Sequence, residues 1–202
     1  MSDDNQLPRG RGRWQLILLV VLFATPVVAS YVMYYMHWLP EARSNKGELI
    51  EPVQAMPDFS APSWDGQRFT LSSLQDKWVM LAYARGECGE ACQRALYTMR
   101  QVRKALGKAA GEVERVLLLD AGRPPADSAG LMQDYAGTHF LLVDEQVRRR
   151  WLGWFEVEGK LPDGEIYYID PYGNLMMRYR PGQEPKDLFS DMDTLLAATG
   201  YH

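Results

Sequence analysis

Cys88 and Cys92 are the only two cysteines in this chain of 202 residues. A disulfide between them would close a very small loop, and the entropic stabilisation by a disulfide grows with the length of the loop that it closes. A structural cross-link would therefore contribute little. Two thiols held at one end of a helix have two other uses: they cycle between dithiol and disulfide, or they bind a soft metal ion as paired thiolates.

The sequence around the cysteines predicts a strand followed directly by a helix. Residues 77–83 are apolar after their lysine, which is typical of a buried central strand. Apolar residues then recur at helical spacing from Cys92 to Leu106, so an amphipathic helix should begin at or just before Cys92. In this arrangement the Cα atoms of the two cysteines would lie about 6 Å apart, close enough for a disulfide. Backbone N–H groups at the helix N-terminus would favour the thiolate form.

The remaining elements predict a mixed sheet with helices on both faces. The pattern predicts, in order, a strand over 112–120, a helix from 127 or 128 to 135, a short strand over 140–143, a helix capped by Asp144, a hairpin over 165–179 and a last helix over 184–198.

The N-terminal part of the chain predicts a membrane anchor. Residues 14–39 contain no Asp, Glu, Lys or Arg, and about 20 apolar residues suffice to cross a bilayer. The alternative is a secretory signal peptide cleaved after Ala29, although the apolar run continues well past that residue. Three arginines precede the span and no basic residue follows it before Arg43, so the positive-inside rule places the N-terminus in the cytoplasm.

The predicted domains are therefore a cytoplasmic N-terminus over 1–13, a transmembrane helix over 14–39, a linker over 40–56 and an exported domain over 57–202. The linker is polar and lacks periodicity. The formal net charge of −4 argues against nucleic acid as a partner, because such binders carry a basic face. An exported domain meets an oxidising compartment, where paired cysteines form disulfides.

The order of elements and the cysteine motif together resemble the thioredoxin-fold proteins of the Sco (SenC) family, the membrane-tethered copper chaperones of cytochrome c oxidase assembly. The resemblance covers about residues 57–199. It lies in the Cys-x-x-x-Cys motif at 88–92 and in the late hairpin turn Asp170-Pro-Tyr-Gly173. It also lies in Asp120-Ala-Gly-Arg123 at the end of the next strand, which is similar to the family's Asp-Pro-x-Arg without the proline. Asp120 and Arg123 are equally compatible with a loop-stabilising ion pair.

The sequence departs from the Sco pattern at the third copper ligand. Sco proteins carry a histidine a few residues before the hairpin turn, and the corresponding segment here, residues 159–165, has none. The three histidines of the chain are His37, His139 and His202. The resemblance thus implies copper, with Cys88 and Cys92 as ligands of Cu(I) and no third ligand identified.

The resemblance implies a single-pass protein of a bacterial inner membrane, with its C-terminal domain in the periplasm, that assists maturation of a terminal oxidase. With the histidine absent, the first hypothesis is a thiol–disulfide oxidoreductase that uses Cys88 and Cys92 to reduce the copper-site subunit of the oxidase or another periplasmic thiol or copper protein. A second hypothesis is a Cu(I) chaperone that uses the same thiolates. A third is a scaffold factor without chemistry.

Overall fold

The computed structural model describes residues 10–35, 45–152 and 163–200, which fall into two compact units, Met1–Ser44 and Asn45–His202. The described part of the first unit is one helix, α1 (Gly10–Tyr35). Its apolar stretch Arg13–Met33 has a mean hydropathy of 2.5 and none of it is buried against protein, so its length and composition suit a membrane span. The helix begins four residues before the predicted span, whose last residues, 36–39, lie outside the described part.

The second unit is built on a six-stranded mixed sheet in the order β1-β8-β7-β4-β5-β6. The strands are β1 (Glu48–Ala55), β4 (Trp78–Arg85), β5 (Val113–Asp120), β6 (Thr138–Leu142), β7 (Ile166–Ile169) and β8 (Asn174–Tyr179). Strands β4, β5 and β6 run parallel, whereas β7, β8 and β1 pair in antiparallel fashion. Two short strands, β2 (Ser60–Pro62) and β3 (Arg68–Thr70), form a separate ribbon.

Helices connect and cover these strands. They are α2 (Glu90–Ala105), α3 (Ser128–Asp134), α4 (Glu145–Val147), which continues as a π-helix over Arg148–Leu152, and α5 (Pro185–Ala198). Short 3-10 helices span Leu71–Leu74 and Gly107–Glu112. As predicted, Asp144 caps α4, because its side chain accepts a hydrogen bond from the backbone N–H of Val147 at 2.8 Å.

The central strand β4 divides the hydrophobic core into two layers. Successive side chains of a strand point to opposite faces, so Met80 and Ala82 pack in one layer and Leu81 and Tyr83 in the other. The first layer lies under α2 and α5, and the second under the β2–β3 ribbon, the 3-10 helix at 71–74 and α4. The predicted mixed sheet with helices on both faces is confirmed.

The prediction of an irregular linker over 40–56 is wrong for residues 48–55, which form β1. This strand pairs with β8 at the edge of the sheet, and the second compact unit begins at Asn45 rather than at 57. Most of its residues are exposed or half-buried, and its register shifts between Leu49 and Gln54. An edge strand of this kind lacks the apolar–polar alternation by which a half-buried strand is found in sequence.

A buried carboxylate on the last helix of this unit forms hydrogen bonds with the start of the unit. Asp191 of α5 is 5% exposed and accepts hydrogen bonds from the backbone N–H groups of Lys46 and Gly47, each at 2.8 Å, and from the Tyr179 hydroxyl at 2.9 Å. Gly47 lies against the Tyr179 ring, where a Cβ atom would meet ring carbons at 2.6 Å, so only glycine fits.

Candidate functional site

Cys88 and Cys92 are joined by a disulfide, with their Cα atoms 5.0 Å apart, slightly closer than the sequence predicted. Cys88 is 2% exposed and Cys92 is 1% exposed, and both belong to the core layer beneath α2. The structure therefore brings the two predicted site residues together at the junction between β4 and α2.

Backbone geometry at this junction brings the chain from strand to helix within four residues. β4 ends at Arg85, Gly86 has a φ of +69°, and its N–H donates to the carbonyl of Asp120 on β5 at 3.1 Å. Cys88 has a φ of +56°, a left-handed conformation that is uncommon for any residue except glycine. Such a conformation persists only when the surroundings hold it. Here Cys88 is held by its own disulfide to Cys92 and by the start of α2 two residues later.

Cys92 occupies the third position of α2. Gly89 is the N-cap residue and α2 begins at Glu90, so the Cys92 backbone N–H belongs to the first turn, where N–H groups have no acceptor within the helix. These N–H groups give the helix N-terminus a partial positive charge that favours a thiolate in the reduced form. The predicted helix start at or just before Cys92 is confirmed.

Glutamates on either side of the cysteines are paired with arginines. Glu90 forms an ion pair with Arg94 one turn further along α2, and Glu87 lies 3.9 Å from Arg123. Unpaired carboxylates at these positions would destabilise a nearby thiolate. Each arginine partly neutralises its glutamate and so reduces this destabilisation. All four side chains are well exposed, and solvent screens these interactions.

A second segment, distant in sequence, packs against the cysteine loop. The Asp163 carboxylate accepts a hydrogen bond from the backbone N–H of Arg85 at 3.2 Å, and the N–H of Gly164 donates to the Tyr83 carbonyl at 2.9 Å. A Cβ atom on Gly164 would lie 2.8 Å from the Cβ of Ala91, the second residue of α2, which precedes Cys92. This contact is not predictable from the sequence, because the Asp163-Gly164 pair indicates only a turn.

Asp120 lies at the end of β5 beside this loop, with partners other than the one predicted. Its carboxylate accepts a hydrogen bond from the Tyr83 hydroxyl at 3.0 Å and pairs with Arg148. Burial and the nearby Asp120 carboxylate raise the pKa of Tyr83 well above its ordinary value, so the phenol stays protonated and donates. The possible ion pair between Asp120 and Arg123 is not formed, because Arg123 pairs with Glu87 instead.

His139 lies away from the cysteines. It is paired with Val116 on β5, four residues before Asp120, which corresponds to about 13 Å along the strand. Its ring contacts Phe69 in the layer opposite to the disulfide, with ring centres 5.0 Å apart, and its Nε2 atom lies 3.5 Å from a Glu114 oxygen. His37, His202 and residues 159–162 lie outside the described part of the chain.

The described residues supply no complete ligand set for Cu(II). No group of three or more His, Cys, Asp or Glu side chains within residues 10–35, 45–152 and 163–200 could hold a metal ion. Of the segment that carries the histidine in Sco proteins, residues 163–165 are described and are Asp, Gly and Glu. In the reduced form, Cys88 and Cys92 would offer two thiolates, a donor set that suits Cu(I) and not the tetragonal nitrogen and oxygen ligation of Cu(II).

Comparison with known families agrees with this architecture. Residues 78–199 match the family described as the transmembrane-like, thioredoxin-like, C-terminal domain, and residues 8–37 match the transmembrane-like, N-terminal domain. The chain belongs to this transmembrane-like, thioredoxin-like family. Membership confirms the thioredoxin-like part of the predicted fold class, and the match at 8–37 agrees with the apolar helix α1.

Solved structures with a similar fold include several Sco proteins. Apo Sco1 from Thermus thermophilus has a TM-score of 0.62 and 18% identity, over 78% of this chain and all of that one. Arabidopsis thaliana ScoI, solved with copper bound, has a TM-score of 0.57 and 17% identity, over 69% and 96% of the two chains. BsSco, described as a Sco family member with a disulfide switch, has a TM-score of 0.55 and 19% identity, over 72% and 96%. The predicted resemblance to Sco proteins is confirmed for the fold.

A curated protein also matches this chain. Chloroplastic peroxiredoxin Q from Gentiana triflora is 24% identical over 132 residues, which are 64% of this chain. The chain spans 59% of the length of that relative.

Proposed function

We propose that this chain is a membrane-anchored thiol–disulfide oxidoreductase that reduces a disulfide in the copper-site subunit of a terminal oxidase. The observation that carries the proposal is the Cys88–Cys92 disulfide at the N-terminus of α2, in a thioredoxin-like domain. The link to an oxidase is supported by the similar fold of BsSco, whose family is described as cytochrome c oxidase assembly proteins.

The reduced chain would act by two exchange steps. One of the two thiolates attacks a sulfur of the partner disulfide, which forms a mixed disulfide and releases one partner thiolate to take up a proton. The second cysteine then attacks the sulfur of the first, which closes the Cys88–Cys92 bond and releases the second partner thiol. Two electrons and two protons thus pass to the partner, and an external dithiol reductant returns Cys88 and Cys92 to the reduced form.

The surroundings of the cysteines favour these steps. The first turn of α2 stabilises the attacking thiolate, and the short separation of the Cα atoms lets the second cysteine reach the first without large movement. Because both side chains are almost fully buried in the oxidised form, reduction by an external dithiol requires a local opening of the loop between β4 and α2.

The redox role is tested by titrating the full-length chain in neutral detergent. The chain is equilibrated in buffers with graded ratios of reduced to oxidised dithiothreitol, quenched with acid, and labelled with a thiol-specific maleimide. We expect a reversible transition that fits two electrons, because exchange in so small a loop is intramolecular. The Cys88→Ser, Cys92→Ser double variant is the control and should show no labelling at any ratio.

Two results would contradict the redox role. A disulfide that persists at every ratio while the chain stays folded would leave the cysteines without exchange chemistry. Thiols that stay reduced at every ratio would likewise show that the cysteines have no exchange chemistry. Either result would favour the third hypothesis, a scaffold factor that retains the fold alone.

The location that this function requires is a single-pass arrangement in a bacterial inner membrane, with residues 57–202 in the periplasm. Arg9, Arg11 and Arg13, which precede the charge-free span that begins at residue 14, support this orientation. A reporter enzyme that is active only outside the cytoplasm, fused after residue 202, is expected to be active. Activity of a cytoplasm-dependent reporter at the same position would reverse the orientation, and release of a fragment without residues 1–29 would indicate a signal peptide.

A second candidate function is transfer of Cu(I) as cargo by the two thiolates. The copper-bound structure of Arabidopsis thaliana ScoI, which has a similar fold, favours this candidate. Two thiolates are a suitable donor set for this soft ion. Here Cys88 and Cys92 would bind the ion and release it to the partner, without a change in their own oxidation state.

A further inference from the structure

A cluster of four cationic side chains, Arg100, Arg103, Lys104 and Arg115, lines a cavity of about 450 Å³. The first three come from the second half of α2 and the fourth from the start of β5. Gly107, Ala110, Asp134 and Ala136 complete the lining. The volume is in the range of pockets that bind small molecules.

The cationic cluster is separate from the cysteines. Arg103 follows Cys92 by eleven residues on the same helix, which corresponds to about 16 Å. Arg115 lies near the start of β5, whereas the loop of the cysteines contacts Asp120 at the other end of that strand. The cavity therefore cannot serve the exchange steps directly.

The three guanidinium groups are held in place by backbone carbonyl groups. Arg103 Nε donates to the carbonyls of Ala110 and Val113, at 3.0 and 2.9 Å. Arg100 Nη1 donates to the carbonyl of Asp134 at 3.0 Å, and its guanidinium lies 5.0 Å from the centre of the Tyr135 ring. These neutral partners fix the side chains but leave their charge uncompensated.

Arg115 is the most unusual member of the cluster because it is only 3% exposed. Its Nη2 donates to the Ala136 carbonyl at 2.6 Å, but its Nε is buried without a hydrogen-bond partner in the described part of the chain, as is the Nε of Arg100. Burial, and after it the nearby Arg103, lower the pKa of Arg115 to about 10. A buried cation without a counter-ion is costly unless a ligand supplies the opposite charge.

Carboxylates act on these cations only from a distance, through Glu114 next to Arg115. Within residues 10–35, 45–152 and 163–200, none of the four cations has a carboxylate oxygen within 4.0 Å. Among the nearby acidic groups, Glu112 pairs with Lys77 and Asp134 lines the cavity, whereas Glu114 attracts Arg115 but does not offset the lowering of its pKa by burial and by Arg103. The positive cavity therefore stands out in a chain whose net charge is negative.

From this arrangement we infer that the cavity formed by α2, β5 and the segment before β6 binds a phosphate ester. Arginine offers a planar fork of N–H donors that matches the oxygens of a phosphate, and three of the four cations are arginines. The cavity exceeds what one inorganic phosphate needs, so the phosphate would belong to a larger molecule. That molecule is either a phospholipid headgroup or a soluble phosphate ester, since both present the same oxygens.

The test compares two exposed lysines of the full-length chain in neutral detergent. Lys104 lines the cavity and Lys108 does not, and neither forms an ion pair or a side-chain hydrogen bond with any residue in the described part of the chain. Glycerol 3-phosphate is titrated by calorimetry and by thermal unfolding, with sodium chloride at matched ionic strength as the salt control. We expect it to bind and to raise the unfolding temperature of the unsubstituted chain and of Lys108→Gln, and to bind Lys104→Gln about tenfold more weakly, since one charged hydrogen bond is lost.

A lipid arm separates the two sources. The same three chains are reconstituted into vesicles of phosphatidylcholine with and without phosphatidylglycerol. A headgroup ligand predicts that phosphatidylglycerol raises the unfolding temperature of the unsubstituted chain and of Lys108→Gln more than that of Lys104→Gln. A soluble ligand predicts that glycerol 3-phosphate, and not phosphatidylglycerol, distinguishes Lys104→Gln from Lys108→Gln. The inference is overturned if neither probe discriminates Lys104→Gln from Lys108→Gln.

Discussion

Serine in place of either Cys88 or Cys92 is expected to abolish Cu(I) uptake by the reduced full-length chain, which should otherwise bind at most one Cu(I). Cu(I) is a soft ion that prefers sulfur ligands, and these two thiolates are the only cysteine ligands in the sequence. A single remaining thiolate offers one donor, and no group of three ligating side chains exists in the described residues to compensate. Uptake is measured by equilibrium dialysis against a chromogenic Cu(I) chelator, under anaerobic conditions and in detergent.

His139→Ala is the matched control, because it removes a metal-binding side chain that the fold keeps away from the cysteines. His139 faces Phe69 and Glu114 in the opposite core layer. Its removal is expected to leave the Cu(I) stoichiometry unchanged. The oxidised chain should bind no Cu(I) through its cysteines, since both of their sulfurs are then in the disulfide.

The same donor argument predicts no stable Cu(II)–thiolate absorption band. Cu(II) prefers tetragonal ligation by nitrogen and oxygen atoms, which two thiolates do not provide. A stable Cu(II) complex that is lost in His139→Ala would show that this histidine has become the third ligand. Loss of such a complex in His37→Ala or His202→Ala would assign the role to one of those residues. Either outcome would replace the proposed dithiol reductant with a copper carrier.

Asp191→Ala is expected to lower the free energy of unfolding by about 3–5 kcal/mol. The substitution removes the common acceptor of the Lys46 and Gly47 N–H groups and of the Tyr179 hydroxyl. The Gly47 N–H and the Tyr179 hydroxyl are buried, and each donor left unsatisfied in the interior costs about 1–3 kcal/mol, whereas the partly buried Lys46 N–H adds less. Burial raises the pKa of Tyr179, and the neighbouring Tyr168 and Asp191 raise it further, so its phenol remains a donor throughout the accessible pH range.

The control is Asp193→Ala, two residues further along α5. Asp193 is exposed, and its side chain forms no hydrogen bond or ion pair with residues 10–35, 45–152 or 163–200, so its replacement should change the free energy of unfolding by less than about 0.5 kcal/mol. Urea unfolding of the full-length chain in detergent, followed by tryptophan fluorescence, measures both variants. Equal effects of the two substitutions would show that the contacts of Asp191 do not hold the Asn45–Gly47 segment.

Sequence reasoning succeeded where the signal is local. The apolar run before Arg85 and the helical spacing after Cys92 placed the two cysteines at a strand–helix junction, because each element has its own period of apolar residues. The charge-free segment at the N-terminus likewise follows from composition alone. The copper question came instead from the resemblance to Sco proteins, whose histidine has no counterpart in residues 159–165.

Sequence reasoning failed at β1, because no periodicity marks it. Its residues are held by β8, more than a hundred positions later, at an edge where few of them are buried. The composition of residues 48–55 is therefore compatible with a linker and with a strand. The pairing partner decides the structure of such a segment, and the partner is not encoded locally.

The amino-acid sequence alone thus determined the order of the elements from β4 onwards, the apolar helix near the N-terminus and the place of the cysteine pair between a strand and a helix. Only the tertiary structure decided what each polar side chain meets. Asp163 reaches the Arg85 amide, Asp191 reaches Lys46, and Arg148 rather than Arg123 pairs with Asp120. These partners are separated by 28 to 145 residues, and a sheet whose strands are not in sequence order brings them together. Side-chain periodicity reports which face of an element is buried, but it carries no information about which distant residue packs against that face.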